Sequence, residues 1–162
     1  MVERPISIED LAFFQGLSAT GRKRILADFR AEEHGRGDVL FLQDQPAERL
    51  YILVSGGVEI RYKPYDGEAL TVSSIEPGGV FGWSAALGRT SYTSSAVCIA
   101  DGRCLSIRGR DLRRICEQDP PTGVILLERL AEVIALRLTS THEHVMEMLR
   151  QGMRPAREMR NR

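Results

Sequence analysis

Residues 77–97 read Pro77-Gly78-Gly79-Val80-Phe81-Gly82-Trp83-Ser84-Ala85-Ala86-Leu87, then Gly88-Arg89-Thr90-Ser91-Tyr92-Thr93-Ser94-Ser95-Ala96-Val97. Gly78, Gly79 and Gly82 put three glycines within five residues. Glycine reaches positive φ without a steric penalty and lets a second backbone or a ligand come close. A tight turn is therefore predicted, feeding the short apolar segment Val80-Phe81. The small residues Ser84, Ala85 and Ala86 can open a single helical turn whose amides form a natural anion cradle. Thr93, Ser94 and Ser95 then set three hydroxyls beside the strand-like Ala96-Val97-Cys98-Ile99.

Working outward, the flanking sequence has a period of two. Val58, Ile60 and Tyr62 alternate with Glu59, Arg61 and Lys63, which predicts a half-buried strand. Leu50 to Val54 is a continuous apolar run, the pattern of a strand buried on both faces. Ser55-Gly56-Gly57 predicts a turn between these two. Pro64-Tyr65-Asp66-Gly67 is a hairpin signal, and Leu70, Val72 and Ser74 continue the alternation. Val39 to Leu42 is a short strand after the turn Gly35–Asp38, and Gln43 to Ala47 is turn-like. Further on, Val97–Ile99 and Cys104–Ile107 predict a hairpin around Asp101-Gly102. Short strands with regular turn signals mean a β-sandwich or barrel.

Helical patterns flank the strands. Ile6 to Phe14 reads as a first helix stopped at Gly16-Leu17, and Ser18 is a good N-cap for a second through Phe29. Asp111 to Gln118 is a short helix that ends before Pro120-Pro121. Thr122 is placed to cap a long helix from Gly123 to Arg150, about 42 Å at 1.5 Å per residue. Along it Leu127, Ala131, Ile134, Leu138, Thr141, Val145 and Met148 recur at spacings of four and three, a heptad seam. Ile125, Leu126, Leu130, Val133 and Leu136 make its first half apolar on nearly every side. One barrel face cannot cover such a helix, so a homodimer through the long helix is expected. The domain reading is a barrel with its helices over 1–121, a dimerisation helix over 122–150 and a basic tail over 151–162. Arg154, Arg157, Arg160 and Arg162 stand in that tail against Glu158 alone.

The 162 residues carry equal numbers of basic and acidic side chains, 22 of each, so no net field draws the chain to nucleic acid or an acidic membrane. No apolar run approaches the roughly 20 residues of a membrane helix, and the N-terminus has no signal-peptide pattern. Cys98, Cys104 and Cys116 are odd in number and lack C-x-x-C spacing, which points to a reducing, cytoplasmic compartment and away from a zinc site. Cys98 and Cys104 flank the Asp101-Gly102 turn and could approach each other across it.

The glycine-rich stretch resembles the phosphate-binding cassette of cyclic-nucleotide-binding domains, the sensor domains of the bacterial catabolite-activator class of regulators. The resemblance extends through Gly37-Asp38-Val39-Leu40-Phe41, Leu50-Tyr51-Ile52-Leu53, Ser55-Gly56 and Glu76-Pro77-Gly78, and covers about Ile6 to Arg150. It implies a mainly β fold with flanking helices: a double-stranded β-helix (jelly-roll) barrel, N-terminal helices and a long C-terminal helix. Asp44 stands where such sequences usually carry Gly; Asp tolerates that turn geometry better than most residues. The usual cassette runs Phe-Gly-Glu, then small and apolar residues, then Arg-Ser/Thr-Ala. In the family the Glu accepts the ribose 2′-hydroxyl and the Arg pairs with the cyclic phosphate. Here Trp83 replaces the Glu and Thr93 the Arg. Indole is a donor only, and a threonine hydroxyl has no charge.

The resemblance thus implies a ligand site of Phe81, Gly82, Trp83, Ser84, Ala85, Ala86, Leu87, Thr93, Ser94 and Ser95 that binds a small effector other than ordinary cyclic AMP. In family members that bind cyclic AMP, polar residues midway along the long helix reach the base; Thr141 and His142 fall there. Thr141 equally reads as a register device on the seam. Haem is not expected, because no matching Cys/His pair can be placed. No nucleophile is assembled with a base and no metal-ligand spacing occurs, so no catalytic or metal residues are assigned and the chain reads as a non-enzyme. Only about a dozen residues follow the long helix, with Gly152 and Pro155 among them and no second amphipathic pair, so sequence-specific DNA binding is not expected. Three readings follow: a stand-alone dimeric effector sensor, a ligand-free module that docks a protein partner, or a regulator lacking its helix-turn-helix domain.

Overall fold

The computed structural model describes residues 6–152. Two 3₁₀ turns, Ile8–Asp10 and Ala12–Phe14, precede α1 (Ala19–Asp28). Six strands follow: β1 (Arg30–His34), β2 (Val39–Phe41), β3 (Arg49–Tyr62), β4 (Leu70–Ile75), β5 (Val80–Phe81) and β6 (Ser95–Arg108). The chain closes with α2 (Gly109–Gln118) and α3 (Pro120–Gly152). The basic tail from residue 153 lies outside the described residues.

The long strands β3 and β6 run antiparallel through the whole barrel. Their first layer pairs β6 with β1 and β3 with β5; their second pairs β6 with β2 and β3 with β4. This is the jelly roll expected from the sequence. Leu50 to Val54 is buried on both faces, as its unbroken apolar run implies. Leu50, Ile52 and Val54 face the helices with Leu105, Ile107, Leu112, Ile115, Leu126 and Leu130. Tyr51 and Leu53 face the barrel interior with Phe41, Val58, Ile60, Phe81 and Tyr92.

Two expected turns are bends inside continuous strands. Ser55-Gly56-Gly57 lies within β3 and Asp101-Gly102 within β6. A Cβ on Gly56, whose φ is 90°, would lie 2.8 Å from the Asp101 carbonyl oxygen, and one on Gly102 would overlap the Ser55 carbonyl. The glycines let the two strands cross closely where the register shifts, so both strands bend and continue. Cys98 and Cys104 therefore sit on one strand, opposite Val58 and Leu53, as buried free thiols.

The expected N-terminal helix over Ile6–Phe14 is instead the pair of 3₁₀ turns, broken at Leu11 by extended backbone. The break drives Leu11, Phe13 and Phe14 into the core together, which one helical face could not do. Ser18 does cap α1: its hydroxyl accepts from the Gly21 amide at 3.0 Å. Thr122, however, lies inside α3. The helix starts at Pro120, where missing amides cost nothing, and Asp119 takes the capping role. Its carboxylate accepts from the Thr122 hydroxyl at 2.7 Å, which holds its pKa below the usual range.

Candidate functional site

The turn that opens the glycine-rich stretch is built as expected. Pro77 and Gly78 occupy its centre, the Gly79 amide donates to the Glu76 carbonyl at 2.9 Å, and Gly78 takes φ 92°, a type II arrangement. Gly78 and Gly79 then exchange hydrogen bonds with Leu53, docking the turn on β3. Gly82, at φ 74°, starts the next turn. A Cβ there would lie 2.9 Å from the Arg49 carbonyl oxygen, so glycine is needed on both counts. Residues 83–88 form a single coiled turn. The amides of Ala85, Leu87, Gly88 and Arg89 are used within it, while those of Ser84 and Ala86 have no backbone acceptor among the described residues.

Beside this turn lies a cavity of about 320 Å³. Phe41, Ile60, Tyr62, Val72 and Ser73 line it from the sheet; Gly82, Trp83 and Ser84 from the turn; Tyr92, Thr93 and Ser94 from the segment before β6. The long helix closes the last side with Ile134, Arg137, Leu138 and Thr141. The floor is rigid. Tyr92 stacks on Phe41 with ring centres 3.8 Å apart, and its hydroxyl donates to the Arg49 carbonyl at 2.6 Å. Burial raises the Tyr92 pKa, so the phenol stays neutral.

Of the residues expected from the sequence, Gly82, Trp83, Ser84, Thr93, Ser94 and Thr141 border the cavity. Phe81 is fully buried beneath it, stacked on Tyr51 at 5.3 Å. Ala85 is buried and its carbonyl accepts from Arg113 at 2.8 Å; Ala86 packs against the helical core. Leu87 is exposed, Ser95 is turned to accept from the Gln43 amide at 2.8 Å, and His142 is exposed outside the cavity. Trp83 is half-buried at the wall and leaves the cavity open.

Sequence reasoning missed Arg137. Its guanidinium carbon lies 4.5 Å from the centre of the Trp83 ring, and Nη2 donates to the Val80 carbonyl at 3.0 Å. Burial pulls its pKa down to about 10, which still leaves it charged at neutrality. The signal was present: Arg137 precedes Thr141 by four residues, one turn on the same helix face. Ile134, Leu138 and Thr141, read as seam residues, also face the cavity. Among the described residues, no group of three or more His, Cys, Asp or Glu could hold a metal ion.

Comparisons with known proteins agree with this architecture. A CRP-like cAMP-activated global transcriptional regulator of Mycobacterium tuberculosis is 29% identical over 136 residues, covering 84% of this chain and 59% of that protein. A cyclic AMP receptor protein of Thermus thermophilus is 26% identical over 160 residues, covering 91% of this chain and 74% of that protein. The chain thus spans about three fifths of the length of the first of these relatives and three quarters of the second. The crystal structure of a candidate cyclic nucleotide-binding protein from Geobacter metallireducens is 30% identical with a TM-score of 0.71, covering 85% of this chain and 99% of that one. A sequence profile of the cyclic nucleotide-binding domain matches residues 18–119. That match takes in α1, every strand of the barrel and α2, and on it the chain belongs to the cyclic nucleotide-binding domain family.

Proposed function

We propose that this chain is a sensory domain that binds a small effector between the glycine-rich turn and α3, and that two copies pair through α3. One observation carries the reading. The cavity of about 320 Å³ is walled on one side by the turn and on the other by the long helix, so an occupant touches both at once. A ligand that favours one helix position over another shifts the balance between them. The proposed ligand residues are those of the sequence reading that border the cavity, with the Ser84 amide as a donor. Ordinary cyclic AMP is proposed to bind weakly, because the acceptor and the cation of the usual cassette are replaced. The relatives named above are regulators and binding proteins, and no catalysis is proposed. Reading of a defined duplex sequence is not proposed for residues 6–152.

Pairing is supported by the exposed apolar residues of α3. Leu127, Leu138, Val145 and Met148 lie along one seam and are each 42–66% exposed. The same residues support a second reading, a module that docks a protein partner while its cavity stays empty. A thermal-shift screen with cyclic mononucleotides, cyclic dinucleotides, haem and aromatic acids separates the two. A ligand at a hundred times its Kd stabilises the fold by about 2.7 kcal/mol. No stabilisation by any of them, with α3 still capturing a partner, would leave the docking module as the better reading.

A further inference from the structure

We propose, resting on the effector reading above, that the effector's negative charge is read from the long helix by Arg137, and that the cavity takes a small monoanion carrying a flat ring. Among the described residues that line the cavity, Arg137 is the only charged one. No carboxylate pairs with it among the described residues. Its hydrogen bond from Nη2 to the Val80 carbonyl uses one of the five N–H donors of a guanidinium. A half-buried cation without a counter-ion is costly, and apolar walls such as Ile60, Val72, Ile134 and Leu138 strengthen its field inside the cavity. A single positive charge there favours a single negative one. Trp83 and Tyr62 supply aromatic surface for a ring at the cavity wall, over a floor of mutually stacked Tyr92 and Phe41.

The site of a cassette cation holds Thr93, which is neutral and exposed. Moving the anchor to α3 has a consequence. The Val80 contact ties α3 to β5, and an anion competing for the same guanidinium acts on the helix directly. A cyclic phosphodiester and an aromatic carboxylate share the required chemistry.

Calorimetry with matched pairs tests the assignment: cyclic AMP against adenosine, and indole-3-carboxylate against indole-3-carboxamide. The proteins are the wild type, Arg137→Gln and Arg137→Lys. At least one anion should bind the wild type about tenfold or more tighter than its neutral mate. Arg137→Gln should abolish that preference and Arg137→Lys retain part of it. Equal binding of an anion by wild type and Arg137→Gln would move the anchor elsewhere, to the Ser84 amide, and end the proposal. A neutral mate bound as tightly as its anion also ends it, while leaving the effector reading intact. Binding of neither anion overturns the proposal, and binding of no probe at all counts against the effector reading too. The wild-type comparison needs no variant, so it decides even if Arg137→Gln fails to fold.

Discussion

The guanidinium of Arg137 covers the face of Trp83 at 4.5 Å, and Trp83 is the only tryptophan in the chain. Its fluorescence therefore reports this one contact. A stacked cation of this kind contributes about 0.5–2 kcal/mol. Arg137→Ala should raise acrylamide quenching of Trp83 and lower the melting temperature by roughly 2–8 °C. An unchanged quenching constant in the folded variant would mean that the stack is not maintained in solution.

Gly78 and Gly82 both have positive φ but differ in what surrounds them. A Cβ on Gly78 would meet nothing within 4 Å, whereas one on Gly82 would press on the Arg49 carbonyl and the Tyr51 and Phe41 rings. Gly78→Ala should cost about 1–2 kcal/mol for the backbone alone. Gly82→Ala should cost more, and should also disturb the cavity. Equal losses in chemical denaturation would show that the contact relaxes freely.

The barrel was legible because its signals are local. Alternation in Val58–Tyr62, the unbroken run Leu50–Val54 and the turn at Pro77-Gly78 each act within a few residues. Asp44 also behaves as its residue type allows, with φ 70° in a turn. Gly56 and Gly102 were misread because a glycine marks a turn and a close strand crossing alike. Only the partner strand distinguishes them, and it lies more than forty residues away in sequence. Arg137 was hidden for a related reason. On a heptad its neighbours Ile134, Leu138 and Thr141 read as seam, and the period alone does not reveal that the barrel mouth faces the same stripe.

That overlap governs how pairing should be tested. Leu138→Glu would alter the seam and the cavity together, since Leu138 lines both. Val145 lies on the same seam, exposed and away from the cavity. Val145→Glu would set like charges against each other in a parallel pair. The wild type should sediment as a dimer at micromolar concentration and the variant as a monomer with its cavity intact. A wild-type monomer ends the pairing proposal.

Cys104 is buried and its thiol is pushed up to about 12, first by burial and then by neighbouring Cys98. Burial also raises Cys98. Both should resist iodoacetamide at pH 8 in the folded protein and react once it unfolds, with Cys104 holding roughly a thousandfold less thiolate than a free cysteine. The folded-state pKa of Cys104 exceeds its unfolded value near 9.0, so the folded state binds more protons between them. Its contribution to stability should be complete below pH 9 and fall as pH rises toward 12. Rapid alkylation of native Cys104 would show that the β3–β6 layer opens readily.

Cyclic AMP should bind weakly, and the cause can be placed on two residues. Trp83 offers a ribose hydroxyl no acceptor, and its ring already carries Arg137. Thr93 borders the cavity with a hydroxyl and no charge. Each lost charge-assisted contact costs about 1.5–3 kcal/mol, so two weaken binding roughly a hundred- to ten-thousandfold. The double change Trp83→Glu with Thr93→Arg should recover measurable affinity. Neither single change should suffice. Glu at 83 alone would pair with Arg137 and neutralise the cation that lines the cavity, while Arg at 93 alone would leave the ribose without an acceptor. Calorimetry of the four proteins reads the outcome directly. Micromolar binding by the wild type would show that the hydroxyls of Thr93 and Ser94, with Arg137, replace both anchors. A folded double variant that stays inert would show instead that Tyr62, Val72 and Leu138 shape the cavity for a different ring.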